Sequence, residues 1–155
     1  MHERGFVHGD LKCDNIFIGD DMKAKVADFG LSFQNGNPDN VPCTEAPNWL
    51  APECLDTKRA RTAATDVFMF GMCIVEALLG EPPWGRLGAA SVRFQLRKGN
   101  LPISFKGFAP AVQQLLYAMC RFEPDERISM DAVADGLKLF EEADDPQFLV
   151  GTKLQ

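Results

Sequence analysis

At 155 residues, with a net charge of −6 and side chains 46% apolar and 25% charged, the chain has the balance of a soluble globular domain with room for one core. That charge argues against a general nucleic-acid binder, which would show a basic patch or a high pI. Five cysteines, at 13, 43, 54, 73 and 120, form no C-x-x-C pair, so neither a zinc site nor a disulfide framework is signalled. Reduced thiols in the cytoplasm, or the nucleus, fit best. Met1-His2-Glu3-Arg4 leads into no apolar h-region, and the longest apolar run, Val67 to Val75, is too short to span a bilayer.

Met1 to Val7 reads as the frayed end of a helix running into a loop. Ile16-Phe17-Ile18 and Lys23 to Ala27 are β-prone runs across a Gly19-Asp20-Asp21 turn, the pattern of a hairpin. Such a hairpin carries Asn15 at one end and Asp28 at the other, and so brings them together. Leu31 to Pro47 is loop by composition, with Gly36, Pro38, Pro42 and Pro47. A loop of that length in a compact domain is more often functional than a plain connector.

Thr65 to Leu79 is apolar nearly all round and predicts a buried helix, the central pillar, with Thr65 as N-cap and Gly80 at its C-terminal end. Three more helices are predicted. Ala89 to Arg97 is the first. Pro110 to Phe122 has Val112, Leu115, Leu116 and Met119 at helical spacing, and Ser129 to Phe140 opens on Ser129 as N-cap. Residues 143–155 read as a loose tail. No internal repeat is present.

The chemistry concentrates in His8-Gly9-Asp10-Leu11-Lys12-Cys13-Asp14-Asn15. It holds an acid to accept a proton, a lysine to sit on a phosphate and an asparagine to hold a cation. Asp28-Phe29-Gly30 follows thirteen residues after Asn15, and Ala51-Pro52-Glu53 comes later. This ordered set resembles the catalytic loop, metal-binding loop and activation-segment terminus of the protein kinases. The likeness is to the Ser/Thr type and the tyrosine-kinase-like group, and it covers nearly the whole chain. Asp-Phe-Gly or Ala-Pro-Glu alone is a weak signal. The order His8, Asp10, Asn15, Asp28, Glu53, Asp66, Arg127 is a strong one.

The resemblance implies the following roles. Asp10 accepts the proton of the substrate hydroxyl, and Lys12 faces the transferring phosphate. Asn15 and Asp28 hold Mg²⁺ on the phosphates of ATP, using the oxygen ligands that this ion prefers. His8 and Phe29 stack in the core. Phe17 packs beneath the adenine ring, although by itself a strand aromatic of this kind is better read as core. Glu53 and Arg127 form a buried ion pair. Asp66 accepts hydrogen bonds from the catalytic-loop backbone; by itself it reads as a carboxylate favoured near a helix N-terminus.

Three departures stand out. Gly9 replaces the arginine that docks a phosphorylated activation loop. Glu45 and Ala46 replace the Gly-Thr that usually precedes the Ala-Pro-Glu stretch. Further, the chain contains no G-x-G and no Val-Ala-x-Lys strand. The expected fold class is therefore mainly α: a protein-kinase-like C-lobe with a small β-hairpin region and the N-lobe absent. Residues 1–142 form the partial domain. The implied function is ATP γ-phosphoryl transfer to a protein hydroxyl by the parent enzyme, with the fragment inactive alone. The expected partners are a protein substrate and the missing N-lobe, or another partner covering the exposed surface, with no nucleic acid and no membrane. Two alternatives stay open: a kinase-derived binding or scaffold module, and an unrelated helical phosphate-binding domain.

Overall fold

The structure is a computed structural model, and it describes residues 1–35, 46–102 and 105–142. Helix α1, Ala63–Leu79, organises it. Its N-cap is Thr62 rather than the expected Thr65. The Thr62 hydroxyl accepts from Ala64 N at 3.3 Å, while Thr65 Oγ1 accepts from Thr62 N at 3.1 Å. Thr65 is thus the third helical residue in a reciprocal capping box, and the helix starts two residues earlier than expected. At the other end Gly80 takes φ 71°, and its amide closes onto Glu76 O at 2.8 Å. Pro82-Pro83 then prevents continuation.

Helices α2 (Ala89–Arg97), α3 (Pro110–Met119) and α4 (Met130–Glu142) surround α1. α3 stops three residues short of the expected Phe122, because the carbonyls of Arg121 and Phe122 accept instead from Arg127. Ser129 caps α4 as expected, its hydroxyl accepting from Ala132 N at 3.2 Å. Val67, Phe68, Met72 and Val75 of α1 pack on Trp49, Leu96, Phe105, Leu116, Met119 and Val133. Each such side chain contributes roughly 1.5–3 kcal/mol on burial. No helix among the described residues is long and apolar enough to cross a membrane.

Two small antiparallel ladders sit beside this core. β1 (Phe6–Val7) pairs with β4 (Phe33–Gln34), where the sequence suggests only a helix end and a loop. A bond from Asn35 N to Gly5 O at 2.7 Å extends the pair. Two-residue strands carry too little periodicity to be read from sequence. β2 (Ile16–Ile18) and β3 (Ala24–Val26) form the expected hairpin, with Ile16 opposite Val26. The Gly36, Pro38, Pro42 and Glu45 part of the loop lies outside the described residues, as does the 143–155 tail.

Glu53 and Arg127 meet through two bonds of 2.7 Å, both side chains fully buried. Arg127 also donates to Ala64 O at 2.8 Å, Arg121 O at 2.8 Å and Phe122 O at 3.2 Å. All five guanidinium N–H groups are therefore satisfied. The pair ties the Pro52–Leu55 turn to the start of α1 and the exit of α3. Arg127→Ala leaves Glu53 buried and unpaired, and should cost about 3–5 kcal/mol in urea unfolding. Arg127→Lys should also destabilise, because an ammonium cannot make the fork.

α1 and α3 approach closely at Gly71, where a Cβ would lie 2.7 Å from Cys120 Sγ and 3.4 Å from Met119 Cβ. Burial pushes the Cys120 thiol up from 9.0 to about 12, which keeps it neutral. Gly71→Ala should gain about 1 kcal/mol of helix propensity, yet overpacking should outweigh that by about 1–3 kcal/mol. Thermal unfolding of Gly71→Ala, with and without Cys120→Ala, checks this: the second substitution should restore much of the loss.

Candidate active site

His8, Gly9 and Asp10 follow β1 directly and pass over the first turn of α1. Asp66 stands in that turn, wholly buried. Its Oδ2 accepts from His8 N at 2.7 Å, and its Oδ1 accepts from Gly9 N at 2.9 Å. His2 Nε2 lies 2.7 Å from the same Oδ2. Gly9 sits at φ 79°, the left-handed region that glycine enters without a Cβ penalty. A Cβ there would come within 3.0 Å of Leu31 O and 3.2 Å of Phe33 Cε1. The glycine at this position therefore lets the loop lie against the β4 strand.

His8 links this loop to the next. Its Nδ1 accepts from Asp10 N at 3.3 Å, and its Nε2 donates to Ala27 O at 3.0 Å. Those two bonds fit the Nε2–H tautomer. Its carbonyl accepts from Ser32 Oγ at 3.2 Å. Its ring stands 5.2 Å from that of Phe29, tilted by 58°. Phe29 is nevertheless 55% exposed, so the contact is at the surface and not in the core as expected. No described element covers the outer face of Phe29.

Asp10 is buried, at 6% exposure. Its Oδ2 accepts from Asn15 Nδ2 at 3.1 Å and lies 3.4 Å from Lys12 Nζ. Its Oδ1 is buried with no hydrogen-bond partner among the described residues. A buried acceptor left open is costly unless something else uses it. Asn15 Nδ2 also donates to Asp10 O at 2.8 Å. The amide nitrogen is thus fully used, which leaves the Asn15 side-chain oxygen for another ligand.

The hairpin brings Asp28 beside this group. Ala27 N donates to Asn15 O at 2.9 Å, one residue before Asp28. Asp28 itself is left-handed, at φ 60° and ψ 71°, and its Oδ1 accepts from Gly30 N at a long 3.4 Å. Such a backbone costs about 1–3 kcal/mol and is found mostly at functional positions. The donors here are all oxygen, as a hard cation requires. Among the described residues no cluster of three His, Cys, Asp or Glu could hold a metal by itself. A Mg²⁺ ion fits Asn15 and Asp28 if phosphates and water complete its shell.

Phe17 lies on β2 at 57% exposure, which overturns its reading as a core aromatic. Cys13, beside Lys12, is no nucleophile: burial first, then Glu76, pushes its thiol up to about 12. A cavity of about 520 Å³ lies behind the loop, lined by His2, His8, Leu11, Phe29 and Phe70 among others. Asp10, Asn15 and Asp28 do not line it, so the acidic and amide groups form an open rim. Sequence reading singles out Ser32 only as a possible phosphate acceptor and misses its bond to His8 O; it also misses the contact of His2 and that of Trp49, whose Nε1 donates to Glu76 Oε2 at 2.9 Å. No local pattern marks these partners, which lie 64, 24 and 27 positions from the groups they meet.

Comparison with known proteins points the same way. The model of the protein tyrosine and serine/threonine kinase family matches residues 1–137. Cytokinesis protein sepH of Aspergillus niger is 30% identical over 129 residues, 83% of this chain and 10% of that protein. Mitogen-activated protein kinase kinase kinase 1 of Arabidopsis thaliana is 28% identical over 82% of this chain and 21% of its own length. Serine/threonine-protein kinase BCK1/SLK1/SSP31 of Saccharomyces cerevisiae is 29% identical over 82% of this chain and 9% of its own. The chain thus spans no more than 21% of the length of these relatives. With a family match over most of its residues and a helical lobe carrying the catalytic-loop motifs, the chain belongs to the protein tyrosine and serine/threonine kinase family.

Proposed function

We propose that this chain is the acceptor side of a protein serine/threonine kinase site, which transfers the γ-phosphoryl group of ATP to a protein hydroxyl. One observation carries the reading: Asp10 Oδ1 is a buried acceptor with no partner among the described residues, on a carboxylate held in place by Asn15 and Lys12. Phosphoryl transfer needs the acceptor hydroxyl positioned and its proton received, and little covalent work besides. Asp10 takes that role, and the Lys12 ammonium beside it offsets charge on the transferring group. Asn15 and Asp28 hold Mg²⁺, which when bound neutralises charge on the nucleotide phosphates. Phe17, exposed on β2, offers an apolar face for the adenine.

The preference for Ser/Thr rests on the Asp10-Leu11-Lys12 order and on the printed names of the relatives. Glycine-rich loop and Val-Ala-x-Lys lysine are both missing from the 155 residues. Those groups supply much of the charge neutralisation in the family. The chain by itself is therefore silent. Phe17, Ile18, Met22 and Phe29 are 55–82% exposed, a face suited to an upper lobe or to a partner that replaces it. That face also favours the second reading, a kinase-derived binding module.

The test is a phosphoryl-transfer assay with ATP, Mg²⁺ and mixed Ser/Thr and Tyr peptides. The chain alone should give no transfer above its Asp10→Asn variant. Fused behind a kinase upper lobe, it should phosphorylate Ser/Thr peptides. Asp10→Asn should then lower kcat by about 10²–10⁴. Activity of the chain alone, or a fusion indifferent to Asp10→Asn, would contradict the proposal. A fusion that folds and stays silent would favour the binding module.

A further inference from the structure

We propose that the groove between α2 and the C-terminal end of α3 docks an acidic, extended segment of a protein partner, anchored by one apolar side chain. The groove consists of two adjoining cavities, of about 530 and 190 Å³, that share Gly99, Asn100, Leu101 and Tyr117. Trp84 and Leu87 wall one end, and Arg121 and Phe122 wall the other. No residue of the catalytic rim lines either cavity.

Trp84 gives the first reason to expect a ligand. It is 7% exposed, and its indole N–H is buried with no acceptor among the described residues. The other tryptophan shows the satisfied state, with Trp49 Nε1 bonded to Glu76. A buried donor without an acceptor is costly to keep, and a small turn of the Trp84 ring toward the groove it lines would let a ligand carbonyl satisfy it. Close by, Asn100 Nδ2 donates to Gln95 Oε1 at 2.6 Å. That bond leaves the Asn100 oxygen and the Gln95 amide N–H groups available, one acceptor and one donor, the pair that a peptide group complements. Leu87, Tyr117 and Phe122 are 38–47% exposed, an apolar bed for one anchoring side chain.

Charge gives the second reason, and it selects the occupant. The chain carries −6 overall, yet α2 holds Arg93 and Arg97 and no acid, and Lys98 follows it into Gly99. Arg121 lines the second cavity. The Arg59 guanidinium lies 5.8 Å from the centre of the Phe122 ring. Arg59 is partly offset by its ion pair with Glu123, and Lys98 stands over Phe94. Arg121 is the one charged side chain among the residues that line the two cavities, and it has no ion-pair partner among the described residues; Arg93 and Arg97 stand on α2 outside that lining. A positive charge at the Arg121 end of a groove lined by no acid favours an acidic segment over a basic one.

Fluorescence anisotropy with the full chain tests this, using a labelled short peptide of Glu and Asp around one Leu. The acidic probe should bind saturably and its Lys/Arg counterpart should not. Arg121→Glu should weaken binding by about tenfold or more through like-charge repulsion. Trp84→Phe keeps an aromatic side chain, though a smaller one, and removes the N–H, and should weaken binding by about 3–10-fold. Circular dichroism confirms that each variant is folded, and Arg121→Gln gives a milder second reading of the charge. The proposal is overturned by absent binding, by equal binding of the basic probe, or by binding indifferent to both substitutions. Equally tight displacement by a synthetic 143–155 peptide would give the groove to the chain's own end. Self-association lost on Arg121→Glu would give it to a second copy.

Discussion

A buried carboxylate at the start of a buried helix fixes the geometry of the His8–Asp10 loop. Asp66 receives two successive loop amides, those of His8 and Gly9, at 2.7 and 2.9 Å. Neither amide nor carboxylate has water to fall back on, so each bond costs far more to lose than it contributes net. The helix beneath cannot shift, because Phe68, Met69, Met72 and Val75 on the same helix are fully buried. The loop is thus registered against the hydrophobic core itself. From there His8 passes the constraint to Ala27 and Phe29, and so to the end of the hairpin where Asp28 stands.

A second anchor works on the opposite flank. The Glu53–Arg127 fork joins the Pro52–Leu55 turn to the base of α1 and the exit of α3. Both anchors use charged groups inside an apolar core, which is costly unless every bond is made. Here the five Arg127 donors are all used. Together the anchors leave the rim of Asp10, Asn15 and Asp28 little freedom. What stays open is an Asp10 oxygen without a partner among the described residues, a left-handed Asp28 and an exposed Phe17. Openness of that kind is what half of a cleft presents.

Much of this was legible in the sequence. α1 and its Gly80 stop, α2 and the existence of the hairpin follow from periodicity, punctuation and turn residues. The expected meeting of Glu53 with Arg127, 74 positions apart, came from family resemblance alone. Other features could not be read. Thr62 and Thr65 are both sound caps, and only the backbone decides which comes first. β1 and β4 are two residues long, held by pairing rather than propensity. The exposure of Phe17 depends on what lies across it, which no local pattern records. The His2 contact to Asp66 likewise depends on where two distant segments cross.

Backbone amide hydrogen exchange, followed residue by residue by NMR on the full chain and its Asp66→Asn variant, tests the registration of the loop most directly. The His8 and Gly9 amides should exchange as slowly as those of the α1 core, and the substitution should speed them selectively while Val75 stays protected. Exchange of His8 and Gly9 as rapid as that of the exposed Asp20–Met22 turn would contradict that registration.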